Sequence, residues 1–555
     1  MKIAKYLVPV ALSLALTACF DEPVGESTKI PVGGETEEPE PEDPNANPDD
    51  VVSPVPTFSL TPQTTTADLS KTYQTMEGFG ASDCWLPNKI GQYWAQNRLQ
   101  IATWLFDKNI VGDQPAGIGL SMWRVNLGAG TEEQGDNSGF GADSYNNRAE
   151  SYLTNGAYDW NKCEGQRYFM SQALRNGCES FVLFSNSPLV DWTLNGKGFS
   201  TNGGNANLKP DCYDDFADYM AEVANHFVGE GYNVTHISPV NEPQYNWDGK
   251  TQEGSGWKNA EVAQLARELD RALTEKGCPT KILIPEAAAW GYLYEGNASD
   301  RAAQITAFFD SSKDTYVGDL GRLDNVVAGH SYWSFDNWTD MRNVRAKVAT
   351  AAEPRNLRVW QTEWSMLDAE PSEIGMTYDE MSEFDIAFYM SKVIHNDLVV
   401  AGCSSWSYWT AMSVERYSQK NRFELIQTTP AGGNYSNDFT AEGTIKATPN
   451  LWVLGNYSLF IRPGYVRVDL AHNESKDFFG SAWAAPDGSR LVVVYTNADR
   501  ERGVQIDGSI VGDKEVKSVY TYTTTAVKNL QQARFNTADK VFVEPYSVTT
   551  VVYNF

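Results

Sequence analysis

Two glutamates each close an apolar run. The mostly apolar stretch from Val234 to Val240 breaks at Asn241, Glu242 and Pro243, then passes into amides, acids and aromatics in SPVNEPQYNWDGKTQEG (238–254). VWQTEWSM (359–366) repeats the arrangement, with Glu363 between Trp360 and Trp364. Opposed across a gap, such a pair can cleave an acetal without a cofactor: one carboxyl protonates the leaving oxygen and the other meets the oxocarbenium-like carbon. Glu242 and Glu363 are therefore the candidate catalytic pair. A carboxyl separation of about 5–5.5 Å, the retaining geometry, is expected; about 6.5–9.5 Å would admit a water and invert the anomeric centre.

For the two to differ in role, one must sit where ionisation is disfavoured while donors hold the other ionised. Arg124, near the end of SMWRVN (121–126), is the candidate donor. Asn241 adjoins Glu242 and is placed to bind sugar. In GHSYW (329–333), Tyr332 shares a strand face with His330. Tyr332 reads as a site residue, and His330 as either a second one or a satisfied core histidine. Trp406 and Trp409 differ by three, so an extended strand sends them to opposite faces and at most one floors a sugar site. Trp247, Gln252, Glu253 and Trp257 lie on a loop with no helical stripe and are candidate specificity residues.

These residues need a scaffold that brings strand ends together. From about residue 76, short apolar runs alternate with helical periodicity, as repeated βα units require. The strand candidates are MEGFGAS (76–82), GIGLSMWRVN (117–126), SFVLFSNS (180–187), NVTHISPVNE (233–242), KILIPEA (281–287), NVVAGHSYW (325–333), RVWQTEW (358–364) and CSSWSYW (403–409). Between them, Phe216, Met220, Val223 and Phe227 form one helical stripe, and Val262, Leu265, Ala266, Leu269 and Leu273 another, the latter capped by Asn259 and closed by Gly277. The expected fold class is α/β, a (β/α)8 barrel over residues 76–461. Its active face lies at the strands' C-terminal ends, where strands four and seven oppose Glu242 to Glu363. YVRVDL, RLVVVYTN, VKSVYTYTT, KVFVEPY and VTTVVYNF then predict a smaller antiparallel β-sandwich over 462–555, completed by strand material from 57–75.

Composition narrows the partner. The net charge is -28, but residues 21–56 hold eleven acids against one Lys, so much of it sits in one segment. The remaining balance excludes nucleic acid, whose phosphates require Lys and Arg, and suits a neutral partner such as a polysaccharide. Five scattered His and no CxxC give no metal-ligand spacing, so neither a metal nor another cofactor is expected. Lys2 and Lys5 precede an apolar run from Tyr6 to Leu16, an export signal that closes on Leu16-Thr17-Ala18-Cys19. This ending resembles the lipobox of bacterial lipoproteins, which implies cleavage after residues 1–18 and lipidation at Cys19. The membrane would then be reached through that anchor alone, at the cell surface or the periplasmic face of the outer membrane. Residues 20–56, with eight prolines and the acid cluster, read as a disordered tether. The six remaining cysteines allow fifteen disulfide pairings, and a monomer is expected.

GFGAS, MWRVNLGAG, FSNSP, SPVNEP, HSYW, WQTEW and LGNYSLFIRPG (454–464) together resemble glycoside hydrolase family 30 across residues 58–555. The resemblance implies a retaining mechanism with Glu242 as acid/base and Glu363 as nucleophile. It also implies that Asn241 binds the hydroxyl next to the anomeric carbon, and that Arg124 and Tyr332 contact the nucleophile. The loop NEPQYNWDGKTQEG is similar to the endo-β-1,6-galactanase branch, which implies β-1,6-galactan, such as arabinogalactan side chains, as substrate. The departure is SNSPLVDWTLNGKG (185–198), where the contacts of Trp192, a candidate substrate-binding residue, are left open. Two alternatives stay open: a hydrolase of the same family acting on β-1,6-glucan or xylan, and a non-catalytic glycan-binding lipoprotein.

Overall fold

The apolar runs pair with one another as parallel strands. The computed structural model describes residues 51–295, 299–507, 510–512 and 514–555. The leader, Cys19 and most of the acidic linker lie outside the described residues. Strands β1 (Gly78–Ser82), β2 (Met122–Asn126), β3 (Ser180–Phe184), β4 (Val234–Ser238), β5 (Lys281–Ala287), β6 (Leu323–His330), β7 (Arg358–Glu363) and β8 (Cys403–Tyr408) close into a barrel in sequential order, every adjacent pair parallel.

Met122, Val182, Leu283, Val326, Ala328 and Trp360, from five of these strands, form an apolar cluster separate from the helix-side core and fill the barrel interior. Two residues further along the same faces the side chains turn polar: Arg124 follows Met122, His330 follows Ala328, and Thr362 follows Trp360. Two residues advance a strand by roughly 6.6 Å. The interior therefore grades from an apolar plug to a polar mouth within two turns of the pleat.

Helices α1 (Tyr213–Gly229) and α2 (Asn259–Glu275) bury both predicted stripes. The start of α2 differs from expectation. Lys258 is the capping position, its N–H held by Glu261 at 2.7 Å, while Asn259 lies inside the helix and donates to the Ala302 carbonyl at 2.9 Å. Gly277 closes it at φ 65°. α3 (Glu383–Val399) is buried on nearly every side, between the barrel and the C-terminal sheets.

The sandwich has a seven-stranded sheet in the order Thr66–Thr75, Val466–Ala471, Phe478–Ala484, Arg490–Asn497, Ser547–Asn554, Ser518–Thr525, Lys528–Phe535. A three-stranded sheet holds Ser59–Thr64, Arg502–Asp507 and Phe542–Val543, and within it Ser59–Thr64 runs parallel to Arg502–Asp507. The N-terminal segment thus gives one strand to each sheet. KVFVEPY contributes only two paired residues, and KNLQQARF, which lacks aliphatic alternation, forms an eight-residue strand with six paired positions. α4 (Pro449–Ser458) joins the two parts: Asn456 donates to the Tyr522 carbonyl and Thr550 Oγ1, and Ser458 to the Ile118 carbonyl. Among the described residues no helix is long and apolar enough to cross a membrane, and six cysteines are buried as free thiols.

Candidate active site

β7 ends on Glu363, whereas β4 ends at Ser238 and Glu242 lies four residues beyond it. Glu242 takes the left-handed backbone region at φ 44°, and its N–H donates to the Glu286 carbonyl at 2.9 Å. That bond hangs the loop after β4 on the end of β5 and turns the carboxyl toward β6 and β7. One oxygen of Glu242, one of Glu363 and a ring nitrogen of His330 lie within 4.8 Å of one another. Both carboxyls are nearly buried but not sealed, at 7% and 5% exposure. An approach this close between single oxygens is compatible with two carboxyls that flank one sugar carbon.

Arg124 binds Glu363 from below. Its Nη1 donates to Glu363 Oε2 at 2.9 Å and its Nη2 to Asn241 Oδ1 at 3.0 Å, while the guanidinium lies 3.7 Å from the centre of the Phe184 ring. Tyr332 Oη donates to Glu363 Oε1 at 3.1 Å. Burial pushes the Glu363 carboxyl up; His330 and Arg124 pull it back, Glu242 adds a further upward push, and the net direction is up.

His330 is wholly buried at the end of β6. Nδ1 lies 2.9 Å from Glu242 Oε1 and 3.8 Å from Glu363 Oε1, and Nε2 lies 3.2 Å from Glu286 Oε2. Burial alone would strip its proton, but Glu363, Glu242 and Glu286 together carry it up to about 10. Glu286 accepts from Ser238 Oγ at 2.5 Å and from Thr362 Oγ1, and stands 3.6 Å from Arg124 Nη2. Burial opposes its charge; Arg124 and His330 outweigh it and hold the carboxyl at about 2. Sequence reasoning missed Glu286, although KILIPEA closes a strand on a carboxylate beside a proline much as the run to Glu242 does.

Glu242, His330 and Glu363 are groups of the kind that ligate metal. Here Arg124 already supplies positive charge, and donors from Arg124 and Tyr332 occupy both Glu363 oxygens. The donor set fits a carboxyl pair with divided roles better than a cation cage.

Several sequence candidates fall elsewhere. Trp406 is fully buried and donates to Asp397 of α3 at 2.9 Å, behind the barrel wall, while Ser405 and Ser407 reach Met122 and Gln361. Trp409, by contrast, stays on the active face: it lies past the end of β8, is half-buried, and stands edge-on to Trp85 at 5.4 Å on the loop side. Trp192 is half-buried and packs edge-on to Tyr219 of α1 at 6.3 Å, against the helix-side core. Trp257 is buried against Tyr213.

Glu253 is also fully buried, so it cannot touch substrate. It accepts from the Ala129 N–H at 2.9 Å and Thr131 Oγ1 at 2.6 Å, pinning the loop after β4 to the loop after β2, and burial pushes it up to about 8. Beside it Gly254 leaves room for Trp247: a Cβ there would stand 2.3 Å from the indole. Trp247 Nε1 donates to the Glu242 carbonyl at 3.2 Å, and its ring meets the exposed Tyr245 edge-on at 5.1 Å. Glu253 and Gly254 thus scaffold Trp247. Unanticipated mouth residues are Trp333, 57% exposed, and Asp368, which accepts the Trp333 N–H at 2.5 Å and is pushed up to about 6 mainly by burial.

The chain matches the model of O-glycosyl hydrolase family 30 over residues 62–422. It is 29% identical over 329 residues to an endo-β-1,6-galactanase of Hypocrea rufa, covering 55% of this chain and 62% of that protein, so it spans less than two thirds of that relative. A conserved exported protein from Bacteroides fragilis superposes with a TM-score of 0.80 at 32% identity, over 88% of this chain and 100% of that one. The catalytic domain of a family 30 xylanase from Talaromyces cellulolyticus superposes at 0.62 and 20% identity, over 89% and 100%, a likeness of fold.

Proposed function

The chain belongs to O-glycosyl hydrolase family 30 and is a glycoside hydrolase, and from that premise we propose that it cleaves β-1,6-linked galactan by retaining double displacement, with Glu242 as acid/base and Glu363 as nucleophile. The observation that carries this reading is the approach of the two carboxyls to within 4.8 Å. In the first step a Glu363 oxygen bonds to the anomeric carbon as the glycosidic bond breaks, and Glu242 gives its proton to the leaving oxygen. In the second, water attacks the same carbon, its proton passes to Glu242, and Glu363 departs as carboxylate. Arg124 and Tyr332 steady the Glu363 carboxylate before it attacks and as it departs, and Asn241, fixed by Arg124, faces the neighbouring sugar hydroxyl.

The choice of galactan rests on the likeness to a β-1,6-galactanase and on the loop NEPQYNWDGKTQEG that follows the acid/base. Incubation with galactan, glucan and xylan of defined linkage, followed by sizing of the products, tests it. An oligomer ladder from β-1,6-galactan is expected; products from β-1,6-glucan or xylan alone would reassign the substrate, and binding without new reducing ends would remove the enzyme reading. The reading includes export and anchoring at Cys19, with residues 20–56 as tether, supported by the leader pattern and the exported structural relative.

A further inference from the structure

Glu286 has no part in the two displacement steps, yet it is sealed from water at the centre of the mouth, 0% exposed. Its Oε2 lies 3.2 Å from His330 Nε2, and the other ring nitrogen lies 2.9 Å from Glu242 Oε1. Hydroxyls of Ser238 and Thr362 fix the Glu286 carboxyl from β4 and β7. A buried carboxylate that engages one imidazole nitrogen leaves the other aimed at the reacting group, and sets which nitrogen carries hydrogen.

We propose that Glu242, His330 and Glu286 form one proton-holding unit, in which Glu286 is a positioning residue: it fixes the Nε2–H of His330, aims Nδ1 at Glu242, and retains the unit's transferable proton until the leaving oxygen takes it. The inference rests on Glu242 being the acid/base. One proton is shared between His330 Nδ1 and Glu242 in the resting site. It leaves with the departing sugar as the glycosidic C–O bond breaks, and the attacking water restores it in the second step. The charged and titratable groups around the unit are Arg124 from β2, Glu363 from β7 at 3.8 Å from Nδ1, Tyr332 with its ring 5.9 Å from that of His330, and Asp368 from the loop after β7, whose field includes Glu242. The high affinity of His330 for its proton and the persistent charge of Glu286 agree with this arrangement. Because Glu286 contributes a buried negative charge, removing it must loosen the shared proton, whichever partner holds it.

The test measures kcat/KM against pH for the unmodified protein, Glu286→Gln and Glu242→Gln on two glycosides of one sugar, one with a sugar leaving group and one with dinitrophenolate, which departs without acid assistance. With the sugar leaving group, the alkaline limb of Glu286→Gln is expected at least about one pH unit lower, and above it a rate loss of at least about 10-fold. With dinitrophenolate neither loss should occur. Nitrogen NMR of the His330 ring should show it losing its proton at lower pH in Glu286→Gln. An unmoved alkaline limb, or equal losses on both substrates as a packing role would give, overturns the proposal. If Glu242→Gln itself shows no dependence on the leaving group, the acid/base assignment fails instead. Should Glu286→Gln not fold, His330→Asn breaks the other link and must lower the limb in the same way; an unmoved limb there is equally fatal.

Discussion

Arg124 meets Glu363 at 2.9 Å in a part of the barrel where neither residue is more than 5% exposed. The same guanidinium reaches Asn241 and stands close to Glu286, so one cation serves three groups. Arg124→Lys offers a point charge in place of a fork and cannot serve them all. Because Glu363 must be ionised to attack and is already pushed up by burial, losing the Arg124 hydrogen bond raises it further. The acidic limb of kcat/KM is expected at higher pH in Arg124→Lys, with turnover lowered on the order of 10²-fold; an unshifted limb would separate Arg124 from the nucleophile.

Glu242→Ala and Glu363→Ala should each lose at least about 10²-fold in activity on the polymer while keeping the melting temperature close to that of the parent. Added azide distinguishes them. On an activated glycoside, Glu242→Ala should yield the glycosyl azide of retained configuration and Glu363→Ala that of inverted configuration, read by proton NMR. Retention in both, or inversion in both, contradicts the division of roles.

Glu253 makes stability depend on pH. Its carboxyl is pushed up to about 8 in the folded chain, against an ordinary 4.5. The folded state therefore holds a proton that the unfolded state releases, and the associated stability is complete below about 4.5 and lost as pH rises through about 8. Glu253→Gln is expected to lower the melting temperature at about pH 5, through the lost acceptor, yet to flatten the fall between about pH 5 and 8, because the amide does not titrate. A fall as steep as in the parent would place the titrating group elsewhere.

Trp247 is held by Gly254 and the Glu242 carbonyl and stands beside an exposed tyrosine, a position suited to a sugar remote from the cleaved bond. Trp247→Ala should raise KM for polymer several-fold, in keeping with a loss of roughly 1 kcal/mol of ring contact, and leave kinetics on a small chromogenic glycoside nearly unchanged. Equal effects on both substrates would instead point to a displaced Glu242.

Much of the barrel was readable because its strands are buried on both faces and appear as continuous apolar runs, while α1 and α2 carry uninterrupted stripes. Glu363 was legible for a local reason: it ends its strand. Glu242 is less local, since it reaches the site through a turn with positive φ and a bond to the next strand's end. The errors share a cause. Glu253 and Trp257 sit in a polar loop whose sequence carries no record of the second loop that encloses them. Strand Lys528–Phe535 escaped notice because it edges its sheet and alternates poorly. Position within a strand is written in the pattern; what covers a loop is written in distant parts of the chain.

The ladder that joins Ser59–Thr64 to Arg502–Asp507 has a mechanical corollary. Its six residue pairs run parallel, and just upstream Ser53 is tied to Asp539 and Asn536. A pull on the chain ahead of residue 53 therefore loads these bonds in shear, side by side instead of one after another, and the force is spent within the C-terminal sheets. The loops that carry Glu242 and Glu363 belong to the barrel and take no part in this ladder, so such a load meets the C-terminal sheets before it meets the catalytic pair.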